Sequence, residues 1–391
     1  MGNEWVERNV EEVANVFGGG TPSTKDEANF NGEIPWITPK DLSGYPFRYI
    51  SRGERNISKK GLNCSNAKLL PVGTVLLTTR APVGYVAIAA NPVTTNQGFH
   101  SLVPHNGYSS EFIYYLLKAN AEYLKSNASG TTFGELSGST LKRLKFVFPS
   151  IPEQRAIADV LGSLDDKIEL NRHMNATLES MARAVFKAWF VENEEAKGWE
   201  AGQFSDIAQN IRRGVNPADV SPEMPYIGLE HMPRRSIALS EWGRAGDVTS
   251  NKFKFQRGEI LFGKLRPYFH KVGIAPINGV CSTDVLVVAP KNPEDFGLVL
   301  GYISSEDFVN SVNAASEGTK MPRTNWDTMA RYPITIPDGK LAADFTAMVQ
   351  PMIEKIQNNI DQSRTLAALR DALLPRLMSG EVRVKDLEEI R

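Results

Sequence analysis

The chain has 391 residues, with 44 lysines and arginines against 45 aspartates and glutamates, for a formal net charge of -1. That length exceeds one typical domain and suits two or three, each with its own core. The even charge balance gives no bulk argument for a nucleic-acid partner, so any such surface must come from local clustering. The two cysteines, Cys64 and Cys281, fall in separate segments, which argues against a disulfide framework and for a reducing, cytoplasmic setting. No secretory signal pattern opens the sequence, the Met-Gly start lacks the downstream Ser or Thr of a myristoylation site, and no run approaches the roughly 20 apolar residues of a membrane span.

Taken in chain order, the sequence repeats itself. The segment Trp5 to Gly20 has an echo at Trp199 to Gly214, in which Trp5/Trp199, Val10/Phe204, Val13/Ile207, Ala14/Ala208, Phe17/Ile211 and Gly20/Gly214 align. In each copy a glycine is expected to end a short helical element. Next, PWITPKDL (35–42) matches PYIGLEHM (225–232), each read as a strand leaving a turn. GTVLL (73–77) matches GEILF (258–262), and RAPVG (80–84) matches LRPYF (265–269), a pattern of turn, buried strand and basic loop. Strands around 96–103 and 283–288 follow, then helical stretches at 112–125 and 298–314. Each half next has a glycine-threonine turn, at Gly130-Thr131-Thr132 and Gly318-Thr319-Lys320, and one more strand. A single repeat with a period of roughly 190 residues indicates a duplicated domain and not a solenoid.

Each half closes on a long amphipathic segment. Alternating steps of four and three from Ile157 pick out Leu161, Leu164, Ile168, Asn171, Asn175, Leu178, Ala182, Val185 and Trp189, a heptad seam with polar residues at its middle. The same steps in the second copy pick out Phe345, Val349, Met352, Ile356, Asn359, Ser363, Leu366, Arg370, Leu373 and Leu377. Ser150-Ile-Pro-Glu153 and Thr335-Ile-Pro-Asp338 each read as a helix start. Pro351 is expected to interrupt the second helix near its start, and Pro375 to mark its end. Seams this narrow need a partner of the same shape, and the two helices are expected to pair with each other. The expected organisation is a mixed α/β (α+β) domain over 1–150, a helix over 151–190, a second such domain with its polar connector over 191–335, a helix over 336–380 and a tail over 381–391.

The chemistry of an enzyme is missing from the pattern. Gly18 to Lys25 lacks the glycine spacing of a phosphate loop. The five histidines, His100, His105, His173, His231 and His270, have no metal-ligand spacing, and neither cysteine lies in a Cys-x-x-Cys pair. No nucleophile elbow, dinucleotide-binding fingerprint or Asn-Pro-Pro-aromatic segment occurs. No catalytic residue, no metal and no cofactor is expected.

Residues 150–191 resemble the conserved central region of specificity subunits from Type I restriction-modification systems, in the phrases IPEQRAIA (151–158), LDDKIELN (164–171) and FKAWFV (186–191). The ending LMSGEVRV (377–384) is similar to the same family. The resemblance implies two target recognition domains, each followed by a conserved helix, with the helices forming an antiparallel coiled coil about a pseudo-two-fold axis. It also implies a non-catalytic, cytoplasmic protein that binds double-stranded DNA, two methyltransferase subunits and, in the full complex, restriction subunits. Residues 157–189 of a helix rise about 48 Å at about 1.5 Å per residue, or roughly 14 base pairs, so a bipartite target with an unread gap is expected. An antiparallel pair sets Asn175 against Asn359 and Asn171 against Ser363; a parallel pair swaps those partners, so the antiparallel expectation rests on domain symmetry and the family resemblance.

The helix-pairing candidates are Ile157, Leu161, Leu164, Ile168, Asn171, Asn175, Leu178, Val349, Ile356, Asn359, Leu366 and Leu373. Base contacts are expected from loops between matching strands: Thr38, Lys40, Arg80, Tyr85, Thr131 and Thr132 in the first domain, and Lys264, Arg266, Tyr268, Lys320, Arg323 and Asn325 in the second. Part of the polar helix face, including Arg155, Asp165, Asp166, Lys167 and Arg172, is a candidate dock for the methyltransferase. The alternative is a duplicated structural or interaction scaffold without sequence-specific DNA binding.

Overall fold

The computed structural model describes residues 5–129, 134–216, 219–247, 250–318 and 320–385. The chain forms two compact units, Met1–Glu169 with Leu366–Arg391, and Leu170–Thr365. Each contains one mixed α/β domain and one end of both long helices.

In the first unit the strand Val75–Thr79 is buried along its whole length, as a continuous run of apolar and β-branched residues requires when both faces of a sheet are covered. Its side chains alternate between two cores. Val75 and Leu77 join Ile88, Leu102 and the helix Ser110–Ala119 on one side, while Leu76 joins Ile37, Ile50, Ala87 and Phe99 on the other. The five-stranded sheet runs in the order Ala14–Gly18, Phe99–Pro104, Val75–Thr79, Val83–Ala89, Tyr49–Ile50. Beside it a three-stranded sheet places Phe30–Ile37 between Arg55–Ile57 and Thr94–Thr95, with Trp36 and Ile37 pairing in parallel with Thr94 and Thr95.

The second unit repeats this plan. Ile260–Gly263 is its central buried strand, with Ile260 and Phe262 facing one core and Leu261 the other. The sheet order is Ala208–Asn210, Val285–Pro290, Ile260–Gly263, Val272–Ile274. Tyr226 and Ile227 pair in parallel with Val280 and Cys281, as Trp36 and Ile37 do with their partners. The turns into the two central strands also match: Gly73 and Gly258 sit at φ +80° and +89°, a conformation that costs glycine nothing and an L-residue considerably more.

Three local expectations need correction. Between the short helices Val10–Val13 and Phe204–Ile207 and the glycines thought to end them lie the strands Ala14–Gly18 and Ala208–Asn210. Alternate side chains there face opposite sides of a sheet, Ala14 and Val16 toward one core and Phe17 toward the other. The second long helix runs unbroken over Gly339–Ser379. Pro351 and Pro375 both lie on its exposed face, where water can satisfy the carbonyls freed by their missing N–H groups. This helix also starts later than its hydroxyl signal: Thr335 belongs to the strand Pro333–Ile336, and Asp338 accepts from the Leu341 N–H at 2.7 Å.

The first long helix covers Ile151–Phe186 and continues as a π-helical turn over Lys187–Val191. The two helices run antiparallel. In the second unit Asn171 Nδ2 donates to Ser363 Oγ at 3.1 Å and Asn359 Nδ2 donates to Asn175 Oδ1 at 2.8 Å. In the first unit Ile157 and Leu161 share a core with Leu377. Asn171 and Asn359 are almost wholly buried. A slip of one turn would strip these amides of partners, at about 1–3 kcal/mol for each buried group left unsatisfied, so they fix the register. Val349 and Ile356 are buried, Leu178 and Leu373 pack at the core margins, and Leu164 and Leu366 are half-buried. The second helix buries more than a heptad seam, since Ile353, Gln357 and Ile360 are also covered. Gln357 Nε2 donates to the Ala275 carbonyl at 3.4 Å, so this face serves its domain as well as its partner helix.

Candidate nucleic-acid interface

Four chain segments meet at one end of each domain, and the same hydrogen bonds stitch them in both. In the first domain the Asn96 N–H donates to Ile37 O at 3.0 Å, the Thr79 N–H to Gly98 O at 2.8 Å, and the Leu136 N–H to Thr79 O at 2.9 Å. In the second the Ser282 N–H donates to Ile227 O at 3.0 Å, the Lys264 N–H to Asp284 O at 2.9 Å, and the Thr324 N–H to Lys264 O at 2.9 Å. Isolated bridges repeat as well: Arg80 with Glu135 and Ser129 with Glu135 in one domain, Leu265 with Arg323 and Glu317 with Arg323 in the other.

The loop after the central strand carries a left-handed non-glycine residue at the same register in each copy. These are Ala81 at φ +46° and Arg266 at φ +51°. Such backbone costs on the order of 1–3 kcal/mol and persists where the surroundings over-determine it, commonly at functional sites. The backbone is held constant between the copies and the side chains on it differ. Such a scaffold can present different hydrogen-bonding groups to different ligands.

The sequence candidates distribute unevenly on this frame. Arg80 lies on the stitched loop, with a guanidinium nitrogen 4.0 Å from the Glu135 carboxylate. Thr38 caps the helical turn Pro39–Leu42 and donates to Asp41 Oδ2 at 2.6 Å, and Lys40 pairs with Glu54 at 2.6 Å. Tyr85 is drawn away, its ring packed against the core that holds Ile37 and Phe99. Thr131 and Thr132 lie outside the described residues. In the second domain Lys264, Arg266, Arg323 and Asn325 come together, while Lys320 is exposed on the turn between Glu317 and Arg323. Tyr268 is exposed and stacks edge-on against Phe269 at 4.7 Å. Asn325 caps the helix Trp326–Ala330 by accepting from the Thr328 N–H at 2.9 Å.

A groove of about 520 Å³ opens here, lined among others by Arg212, Phe253, Lys264, Thr283, Asn325 and Trp326. Burial holds the Lys264 ammonium below the ordinary lysine value against the attraction of Asp284, and the positive charges of Arg323 and Arg212 add to the lowering. Arg323 itself pairs with Asp284 at 2.8 Å. Of the charged residues that line the groove, Arg212 and Lys264 outnumber Asp327, and this small positive excess suits phosphate oxygens or acceptor atoms on base edges. Arg266 adds a buried Nε with no hydrogen-bond partner among the described residues.

A family model described as Type I restriction modification DNA specificity domain matches residues 2–180. Over 98% of its length the chain is 35% identical to the Type I restriction enzyme MjaIX specificity subunit of Methanocaldococcus jannaschii, of which it covers 95%. The chain belongs to the Type I restriction specificity-subunit family. It is also 28% identical to the HindI specificity subunit of Haemophilus influenzae, over 70% of this chain and 77% of that one. Its fold is similar to that of the crystal structure of the Type-I restriction-modification system S subunit from M. genitalium, at a TM-score of 0.61 and 15% identity, covering 96% of both chains.

Within this family member, residues that sequence reasoning passed over line the candidate surface. Arg212 lies in a segment read only for its repeat and Phe253 in one left unread, and the cation lies 5.9 Å from the ring centroid. Arg234 sits over the Phe269 ring at 3.9 Å. The dibasic pairs Arg212-Arg213 and Arg234-Arg235 were a visible signal. On the long helices, Asp165 and Asp166 are engaged within their own unit: Asp165 Oδ2 accepts from the Tyr115 hydroxyl at 2.7 Å and Asp166 Oδ1 from Arg48 at 2.6 Å. No group of three or more His, Cys, Asp or Glu residues among the described residues could hold a metal ion. No helix there is long and apolar enough to cross a membrane.

Proposed function

We propose that this chain chooses the DNA site of a type I restriction-modification complex. Its two target recognition domains, within 1–150 and 191–335, read two short sequences separated by an unread gap. It acts in the cytoplasm, carries no chemistry of its own, and recruits two methyltransferase subunits and, in the full complex, restriction subunits. The observation that carries this reading is the duplicated loop frame, in which matching hydrogen bonds and matching left-handed residues at Ala81 and Arg266 support unlike side chains. A duplicated reader with two different reading surfaces matches a target of two different halves.

Arg266 tests the reading directly. Arg266→Ala in the assembled methyltransferase complex should weaken binding, or relax one half-site, by about 1–3 kcal/mol if the guanidinium reads a base. A phosphate contact would instead weaken all sequences alike and flatten the salt dependence. Binding that is unchanged across a salt series would remove Arg266 from the interface.

A further inference from the structure

The first long helix carries a carboxylate that no pairing of the two helices requires. Glu179 is 3% exposed and takes four donors: Arg183 Nη2 at 2.9 Å, the Ser236 hydroxyl at 2.7 Å, the Ile237 N–H at 3.1 Å and the Ala238 N–H at 3.2 Å. Three of these belong to one short stretch of the second recognition domain.

That stretch leads directly to the candidate reading turn. Arg235, at φ +58°, donates its N–H to the His270 carbonyl at 2.9 Å, and the Ile274 N–H donates to Ile237 O at 3.1 Å. Arg183 also donates to the Arg235 carbonyl at 3.2 Å. His270 lies at φ +51° and closes the turn Pro267–Phe269, which Arg266, also at φ +51°, opens. The His270 ring is buried, with Nε2 donating to the Ser304 carbonyl at 2.9 Å. Arg235 and His270 both face the Glu306 carboxylate. Three left-handed non-glycine residues thus lie within one hydrogen-bonded network, and backbone of that kind holds only where its surroundings over-determine it.

We propose that Glu179 is a positioning residue for DNA reading by the second domain: by gripping residues 236–238 it fixes the Arg266–His270 turn, and with it the Arg266 guanidinium and the exposed Tyr268 ring. The inference rests on the reading of this turn as a DNA-contacting loop. It is confined to one half of the target. The first domain is held by different groups, Arg48 and Tyr115 on Asp166 and Asp165, and the position that matches Glu179 in the second helix is Ala367.

The test uses Glu179→Gln and the milder Ser236→Ala, each co-expressed with the methyltransferase subunit, with methylation read across all genomic sites. Arg266→Ala assigns which half of the motif belongs to the second domain. Both variants should assemble and still methylate the cognate motif, while methylation at sites mismatched in that half rises on the order of ten-fold and mismatches in the other half stay rejected. A merely structural role would lower methylation at every site without changing discrimination. Unchanged discrimination, or equal loss in both halves, by both variants would overturn the proposal. If the unsubstituted complex leaves no gapped motif, it is the site-choosing function that fails and not this inference alone.

Discussion

Replacing Phe345 by alanine should destabilise the second unit by about 3–5 kcal/mol, the usual cost of deleting a buried phenyl ring. Phe345 is 2% exposed. Its ring centroid lies 5.0 Å from Phe190, 5.9 Å from Trp189 and 6.0 Å from Phe186. These rings join the end of the first helix to the start of the second, and Gly301 leaves them room: a Cβ there would come within 2.1 Å of Phe186. Denaturant unfolding followed by tryptophan fluorescence reads the effect, because Trp189 and Trp199, two of the six tryptophans, pack on the same cluster. Phe345→Leu should cost much less, because most of the buried volume is kept. A loss below about 1 kcal/mol for the alanine variant would mean that the cluster does not hold the two helix ends together.

Arg370→Ala should cost about 3 kcal/mol through a different mechanism, the stranding of a buried charge. Arg370 occupies a seam position where an apolar side chain would be expected. Its guanidinium pairs with Asp165, whose side chain is 13% exposed against 19% for the arginine. Asp165 also accepts from Tyr115, and burial, with the nearby Asp165 charge, holds that phenol well above its ordinary value. Removing the arginine leaves a carboxylate with one neutral donor in a desolvated seam. The double variant Asp165→Asn, Arg370→Met should recover most of the loss, since replacing both partners avoids the stranded charge. A double-mutant cycle by denaturant unfolding checks this, and additive losses would contradict the coupling.

The sequence made the duplication legible because the repeat resides in backbone-determining residues. The glycines at 73 and 258 and the buried runs at 75–79 and 260–263 specify the same turn and the same strand in each half. The seam was equally plain, as Asn171, Asn175, Asn359, Ser363 and Arg370 interrupt otherwise apolar heptads. The proline reading failed because a single sequence does not show which face of a helix meets water, and Pro351 and Pro375 both do. Glu179 escaped for the opposite reason. A charged residue beside the seam reads as solvated surface, and its burial depends on a domain segment 57 residues away in the chain. The candidate loops were chosen by position, but Arg212, Phe253 and Trp326 gather at the groove only through tertiary contacts.

Two unlike reading surfaces on one repeated frame are proposed to choose a two-part DNA target. Genome-wide adenine methylation in a host expressing this chain with its methyltransferase subunit tests this most directly. One gapped motif is expected, present only when both proteins are expressed and altered in a single half by Arg266→Ala. An assembled complex that methylates no defined motif, or one uninterrupted sequence, would contradict it.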